Sequence, residues 1–506
     1  MKIKYMLTVA AIVAVTKSGF AQYSGDALKF SQFQTGSTAR FKGLGNAGTA
    51  IGGDLSNISG NPAGLGFFTK SELSITPEFN NAQAKSTYFA GTTNTDNKAQ
   101  SNNVNFNNAS AVFYTRLNKP RGEDKTKGWL SINYGISYNR TNDFYANTTY
   151  GGKNANNSLV DRFTQLANTD PTATSDGSLQ NWAYNQYLFE PTTAGSALPY
   201  QSNVHANIKP VDQINTTTNT GGQTAFNFSV GANYSNQLYL GFGIGVTSLR
   251  YNSTNTFSES GHQDFDNLDY NTQYAQNQTT KGTGINATFG AIYKPVDALR
   301  LGLSVTTPTW YVIDDDYSES LKTQYVGSSY YADGPADYPL SYSLRTPLKV
   351  SGGAAVFFKN YGFITADVDY LDYSSMRLDN SSTTADGYDN NTGGYDPTQD
   401  NSDIHKLYRS TVNAHIGGEA RLTSQFAIRG GYGVQGSPYV NTAYQNNIRT
   451  ISGGLGYRTG LYYIDATYSN VSGSESIYPY IISSASPYAN IDRTYNNVFL
   501  TLGLRF

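Results

Sequence analysis

The 506-residue chain contains no cysteine. That excludes disulfides, thiolate nucleophiles and cysteine-ligated metals. Charge is scarce as well: Asp, Glu, Lys and Arg together make up 14% of the residues and leave a formal net charge of −2. Water-facing helices draw heavily on Glu, Lys and Arg, so a string of soluble helical domains does not fit this composition. Nor does a nearly neutral chain attract nucleic acid, and no nucleic-acid partner is expected. The histidines are few and scattered (His205, His262, His405 and His415), with no pair at metal-ligand spacing. No catalytic constellation, metal or cofactor is read from the sequence. Beyond the N-terminus there is also no apolar run of the roughly 20 residues that a transmembrane helix needs.

What is plentiful is Tyr (41 residues) and Gly (50 residues), with Asn, Ser and Thr throughout. Tyr and apolar residues on one face, with Gly, Asn, Ser and Thr on the other, is the composition of strands that cross a membrane. Residues 1–21 have the form of a secretory signal: Lys2 and Lys4, an apolar run from Tyr5 to Val15, then Gly19-Phe20-Ala21 with cleavage expected before Gln22. An exported chain without disulfides is held by hydrogen bonds and packing, which a closed barrel provides.

From Glu72 onward the hydrophobic period becomes two. Leu130, Ile132, Tyr134, Ile136 and Tyr138 alternate with Ser131, Asn133, Gly135, Ser137 and Asn139. Leu238, Leu240, Phe242, Ile244 and Val246 alternate with Tyr239 and three glycines, and Val498 to Phe506 repeat the pattern. About fourteen such strands are read, an even number as single-chain bacterial barrels require. Tight turns such as Pro295 to Asp297 and Thr459-Gly460 alternate with long stretches at Arg140–Gly222, Tyr251–Gly282, Thr307–Arg345, Asp372–Ser410 and Asn470–Tyr495. The long stretches are expected to be extracellular loops. The acids Asp314-Asp315-Asp316, and Asp386, Asp389 and Asp396, read as solvated loop residues. The expected fold is therefore all-β: a transmembrane antiparallel β-barrel over residues 69–506.

Residues 22–68 precede the barrel and are rich in Gly and small side chains, which suits backbone packed inside something. A helical turn or two is expected near Asp26–Phe33. Gly43-x-Gly45-x-x-Gly48 matches the dinucleotide fingerprint in form, but it lacks the preceding buried strand and the following helix, so no nucleotide site is read. Asn61-Pro62-Ala63-Gly64 is a turn, since Pro62 fixes its own φ and pushes Asn61 extended. Lys349, Asp367, Asp369, Glu419, Arg421, Arg429, Arg458, Asp465 and Arg505 fall on inward strand positions. An Arg facing lipid at midplane would cost about 2–4 kcal/mol.

Gly52-Gly53-Asp54 followed by Asn61-Pro62-Ala63-Gly64-Leu65 resembles the hatch of FadL/TodX-type outer-membrane transporters, channels for long-chain fatty acids and aromatic hydrocarbons. The segments Thr346–Phe358, Ala366–Ser375, Arg429–Pro438 and Ile451–Arg458 resemble that family's strands in character and order. The resemblance covers most of the chain, the stretch 140–222 excepted. It implies a fourteen-strand barrel with an N-terminal hatch in the lumen, sited in the bacterial outer membrane. It further implies passive uptake of hydrophobic or amphipathic small molecules, with sideways release into the membrane. Asn61, Pro62 and Ala63 would gate passage, unless they form only a turn needed for folding. Phe30 and Phe33 would line the ligand pocket, or else simply anchor their segment to the wall. Lys349 and Arg429 are the candidates for a carboxylate headgroup; the alternative for inward charges is that they pair with one another and hold the plug. Expected partners are the small-molecule substrate, outer-membrane lipids and, through Phe506, the barrel-assembly machinery. The competing readings are a surface adhesion or structural protein with the barrel as anchor, and a general diffusion porin.

Overall fold

Strands that are apolar on one face and small and polar on the other close on themselves most economically as a cylinder, which leaves no unpaired edge. The computed structural model shows such a cylinder; it describes residues 21–32, 36–91, 94–170, 172, 174, 177–193, 196–381 and 395–506. The expected leader up to Phe20, and Phe33, lie outside the described residues, as do Asp386 and Asp389. The chain begins with helices α1 (Ala21–Ser31) and α2 (Ala39–Gly43). Then come β1 (Glu72–Phe89), β2 (Thr95–Arg116), β3 (Trp129–Asp143) and β4 (Ala146–Asn154), helices α3 (Leu159–Thr169) and α4 (Leu179–Asn185), and a small hairpin of β5 (Phe189–Pro191) and β6 (Tyr200–Ser202). β7 (Val211–Tyr234), β8 (Leu238–Gln263), β9 (Leu268–Val296), β10 (Leu299–Thr306), β11 (Trp310–Tyr325), β12 (Tyr330–Arg345), β13 (Lys349–Phe358), β14 (Gly362–Asp372) and β15 (Arg377–Asn380) follow. After helix α5 (Thr398–Leu407), β16 (Ser410–Arg421), β17 (Phe426–Gln435), β18 (Ile448–Thr459), β19 (Tyr462–Ile477) and β20 (Tyr488–Arg505) complete the wall.

Four pairs of these stretches are single staves broken by a kink: β3 with β4, β10 with β11, β12 with β13, and β14 with β15. The eighteen stretches of the sheet therefore make fourteen staves in chain order. β20 pairs antiparallel with β1 from Glu72–Arg505 to Phe89–Tyr488 and closes the ring. Phe242, Ile244 and Val246 remain exposed on the outer face, as do Val498, Leu500 and Leu502. Only hydrocarbon suits a continuous apolar belt of this kind. Short turns are present where the sequence predicts them: Ser235, Asn236 and Gln237 join β7 to β8, with Ser235 and Asn236 both at φ 55° in the left-handed region.

The long connections differ from expectation. Tyr251–Gly282 is no loop: β8 and β9 stay paired from Leu238–Tyr293 up to Gln263–Leu268. Thr307–Arg345 likewise holds the paired β11 and β12, and Asp314–Asp316 lie within β11, where buried Asp315 accepts hydrogen bonds from Gln278 and Thr280. At roughly 3.3 Å per residue these hairpins stand far beyond the 9–11 residues that a bilayer needs. Most side chains of the extensions are polar, and only scattered ones such as Phe257, Tyr270 and Leu321 are buried and apolar, so the regular apolar alternation that marks a strand in sequence is missing there. Within residues 155–210, Phe163, Trp182 and Phe189 pack against Phe257, Tyr270 and Leu321 of the extended strands, forming an ordered cap.

Inside the cylinder, residues 36–68 fill the lower lumen. Arg40 and Phe41 of α2 are buried, as are Leu44, Leu55, Ile58 and Leu65 further along. α1 is longer than expected, beginning at Ala21, because Tyr23 packs edge-on against Tyr342 and Tyr395 at ring separations of 5.3 and 5.6 Å.

Candidate functional site

The floor of the lumen is pinned to the wall through backbone groups. Asp367 accepts from the backbone N–H groups of Gly48 and Thr49, both at 2.7 Å. Asn133 donates to the Leu65 carbonyl at 2.6 Å, Ser229 donates to that of Ile58 at 2.6 Å, and a His415 ring nitrogen lies 2.9 Å from that of Gly45. A segment with little regular structure needs such partners for its peptide groups. Sequence reading marked Asp367 only as an inward charge and gave His415 no role at the floor.

The Asn61-Pro62-Ala63 turn is held from both sides. The Asn61 side chain accepts from Ala63 N–H at 3.2 Å and donates to the carbonyls of Thr49 at 2.7 Å and Leu303 at 3.3 Å. Pro62 starts a short 3-10 helix, Pro62–Phe67, where its missing N–H costs nothing. The turn lies directly on the wall: a Cβ at Gly241 would sit 2.2 Å from the Pro62 carbonyl carbon, and one at Gly290 would sit 2.0 Å from Asn61 Oδ1. These two strand glycines are there because no side chain fits.

A buried ion network ties α2 to β16, β17 and β19. Arg40 of α2 meets Glu419 at 2.8 Å and Asp54 at 3.6 Å. Arg429 meets the same Glu419 at 2.8 Å and Asp465 at 2.6 Å, with its side chain only 1% exposed. Lys349, in contrast, borders open space and meets Asp369 at 3.2 Å, which also faces His415 at 3.7 Å. The two headgroup candidates are thus in different places: Arg429 inside the network, Lys349 on a cavity.

That cavity is a chamber of about 490 Å³ between the floor and α1. α1 forms its roof. Phe30 borders the chamber and packs edge-on against Phe144 and Tyr251 at 6.0 and 5.9 Å, so it both anchors the helix and faces the space. Lys29 lies 4.2 Å from the centre of the Tyr251 ring. Gln223 and Asn142 donate to the carbonyls of Phe30 and Gln32, each at 2.8 Å.

Beside the chamber the wall changes character. β2 and β3 pair from Arg116–Ser131 only as far as Asn108–Asn139. Beyond that point β3 and β4 pair with β7 alone, and residues 95–106 of β2 pair with β1 alone. Side chains bridge the resulting seam. Asp143 is its centre: Asn103 and Asn105 of β2 donate to its Oδ2 at 3.3 and 2.8 Å, Asn80 of β1 donates to the same atom at 3.1 Å, and Arg140 pairs with Oδ1 at 3.1 Å. Arg140, Asp143 and Phe144 also border the chamber. A ladder end between two strands leaves no sequence signature, so the seam was not readable there.

The fold as a whole recurs in known structures. A FadL homologue of Pseudomonas aeruginosa superposes with a TM-score of 0.52 over 93% of this chain and 98% of that one, at 14% identity. The toluene transporter TodX of P. putida superposes equally well over 93% and 99%, at 12% identity. The fold is that of the FadL/TodX-type barrels. No family model matches the chain, and no curated protein sequence does. The FadL-type likeness is therefore one of architecture, and the side chains of the chamber are this chain's own.

Proposed function

We propose that this protein is a passive channel of the bacterial outer membrane that takes up hydrophobic or amphipathic small molecules. The observation that carries the reading is the chamber bordered by the seam where the β2–β3 ladder ends. Residues 36–68 act as a hatch that denies a straight aqueous path, which disfavours a diffusion porin. A solute enters under α1, rests in the chamber and leaves sideways between β2 and β3, into lipid. Burying each CH₂ contributes about 0.8 kcal/mol, so release into an apolar phase is far easier than release into water. In this reading Arg429 acts as an anchor of the hatch, and the Asn61-Pro62-Ala63 turn sets the hatch's resting position. The structurally similar FadL homologue and toluene transporter agree with this class of cargo.

The test compares cells that carry the protein in the outer membrane with cells that lack it. Faster uptake of a long-chain amphiphile, without swelling of proteoliposomes in small sugars, is expected. Swelling with sugars would return the porin reading, and equal uptake by both cells would remove the channel.

A further inference from the structure

The charges around the chamber are already matched to one another. Lys29 meets Asp26 at 2.8 Å, Lys349 meets Asp369 at 3.2 Å, Arg140 meets Asp143 at 3.1 Å and Arg493 meets Glu475 at 2.5 Å. Lys42 lies within electrostatic reach of Glu78. A carboxylate seeking a cation here would have to draw Lys349 off Asp369, leaving a nearly buried acid with His415 and the Ser351 hydroxyl but no full ion pair. Buried pairs resist such exchange because the abandoned partner keeps its charge without compensation.

The uncharged polar groups are not matched in the same way. Asn219 accepts from Tyr251 and Asn413 accepts from the Gly436 N–H, yet among the described residues neither carboxamide nitrogen donates to any protein group. Asn286 and Asn227 donate to Thr309 and the Ala225 carbonyl, and their carboxamide oxygens accept from no described residue. All four border the chamber, Asn219 and Asn227 from β7, Asn286 from β9 and Asn413 from β16. A bare hydrocarbon filling the space would cover these donors and acceptors and offer nothing to bond them. Phe30, Tyr311, Leu371 and Phe499 meanwhile offer apolar surface between them.

We infer that the chamber selects uncharged amphiphiles, apolar molecules bearing hydroxyl or carbonyl groups, over both carboxylates and plain hydrocarbons. The inference rests on the channel reading above and narrows its substrate class. An apolar body packs on the aromatic and aliphatic surface, while its oxygen atoms engage the spare amides of Asn219, Asn413, Asn286 and Asn227. Paired charges then serve as a neutral polar lining with no vacancy for an ion.

The experiment uses the full mature chain in nanodiscs and a matched series: dodecane, dodecan-1-ol and dodecanoate at pH 8. Binding is counted above that of empty nanodiscs. Dodecan-1-ol is expected to bind at least tenfold more tightly than either companion. The double variant Asn219→Leu/Asn413→Leu is expected to lose that preference while keeping dodecane binding. Dodecanoate binding as tightly as the alcohol would overturn the selectivity and leave the channel intact, as would a preference for dodecane. Binding of none of the three above empty nanodiscs would overturn the channel reading and the selectivity together. The wild-type series decides the matter even if the double variant fails to assemble.

Discussion

Replacing Arg429 by Leu separates an anchor of the hatch from a receptor for a headgroup. The guanidinium bridges Glu419 and Asp465 at 2.8 and 2.6 Å. Its loss leaves Glu419 with Arg40, but strips Asp465 of its ion pair in a site that is fully buried. Removing one partner of a buried pair costs about 3–5 kcal/mol, whereas replacing both partners by apolar residues is often close to neutral. The wall's strand ladders are untouched, so the cost falls on the hatch, whose Gly43 packs against the Arg429 side chain. Hydrogen exchange of the amides around Gly45 and Gly48 is the assay. A destabilisation of that size corresponds to roughly a hundred- to a few thousand-fold faster exchange, with heat-modifiable migration of the barrel retained. Arg429→Leu combined with Asp465→Leu should restore much of the protection. Unchanged exchange in the single variant, together with weaker binding of dodecanoate, would refute the anchoring role and make Arg429 a headgroup site.

The remaining predictions address the turn and helix α5. Asn61→Ala with Pro62→Ala removes the bonds to Thr49 and Leu303; assembly should survive while uptake of an amphiphile changes, and unaltered uptake by a correctly assembled variant would exclude the turn from gating. In α5, burial and the neighbouring Asp403 and Asp26 push Asp400 up from 3.8 to about 6, against the Tyr395 hydrogen bond that favours its ionised form. A raised carboxyl favours folding when protonated, so its contribution is full below the ordinary value and fades as pH rises through about 6. The contact of α5 with α1 should therefore resist protease better at pH 5 than at pH 8, and Asp400→Asn should remove the difference.

Much of this was legible because a membrane imposes contrast. Leu240, Phe242 and Ile244 must face lipid and their glycine neighbours must not, so the strands announced themselves. The extensions did not: Asn252–Ser260 and Asn271–Thr280 are polar apart from Phe257, Tyr274 and Ala275, with no regular alternation, and it is their backbone ladder that makes them strands. Helix α3 carries a readable signal, the Ser158–Asp161 capping box ahead of Leu159, Val160, Phe163 and Leu166. At the site, the Asn-Pro-Ala turn was evident from its chemistry, and Lys349 and Arg429 were read as inward residues. Which of those charges border open space depends on partners far away in sequence, such as Asp465 for Arg429, and periodicity carries no trace of that.

Sideways passage through the seam is the centre of the proposed mechanism, and the absence of native cysteine makes it directly testable. Asn105→Cys and Asp143→Cys place two thiols where a carboxamide and a carboxylate now meet at 2.8 Å across β2 and β3. Uptake of dodecan-1-ol by cells carrying this variant is measured before and after a short, reducible thiol crosslinker is added. Uptake should fall to the level of cells without the protein and return on reduction. Undiminished uptake with the seam fully crosslinked would contradict lateral exit.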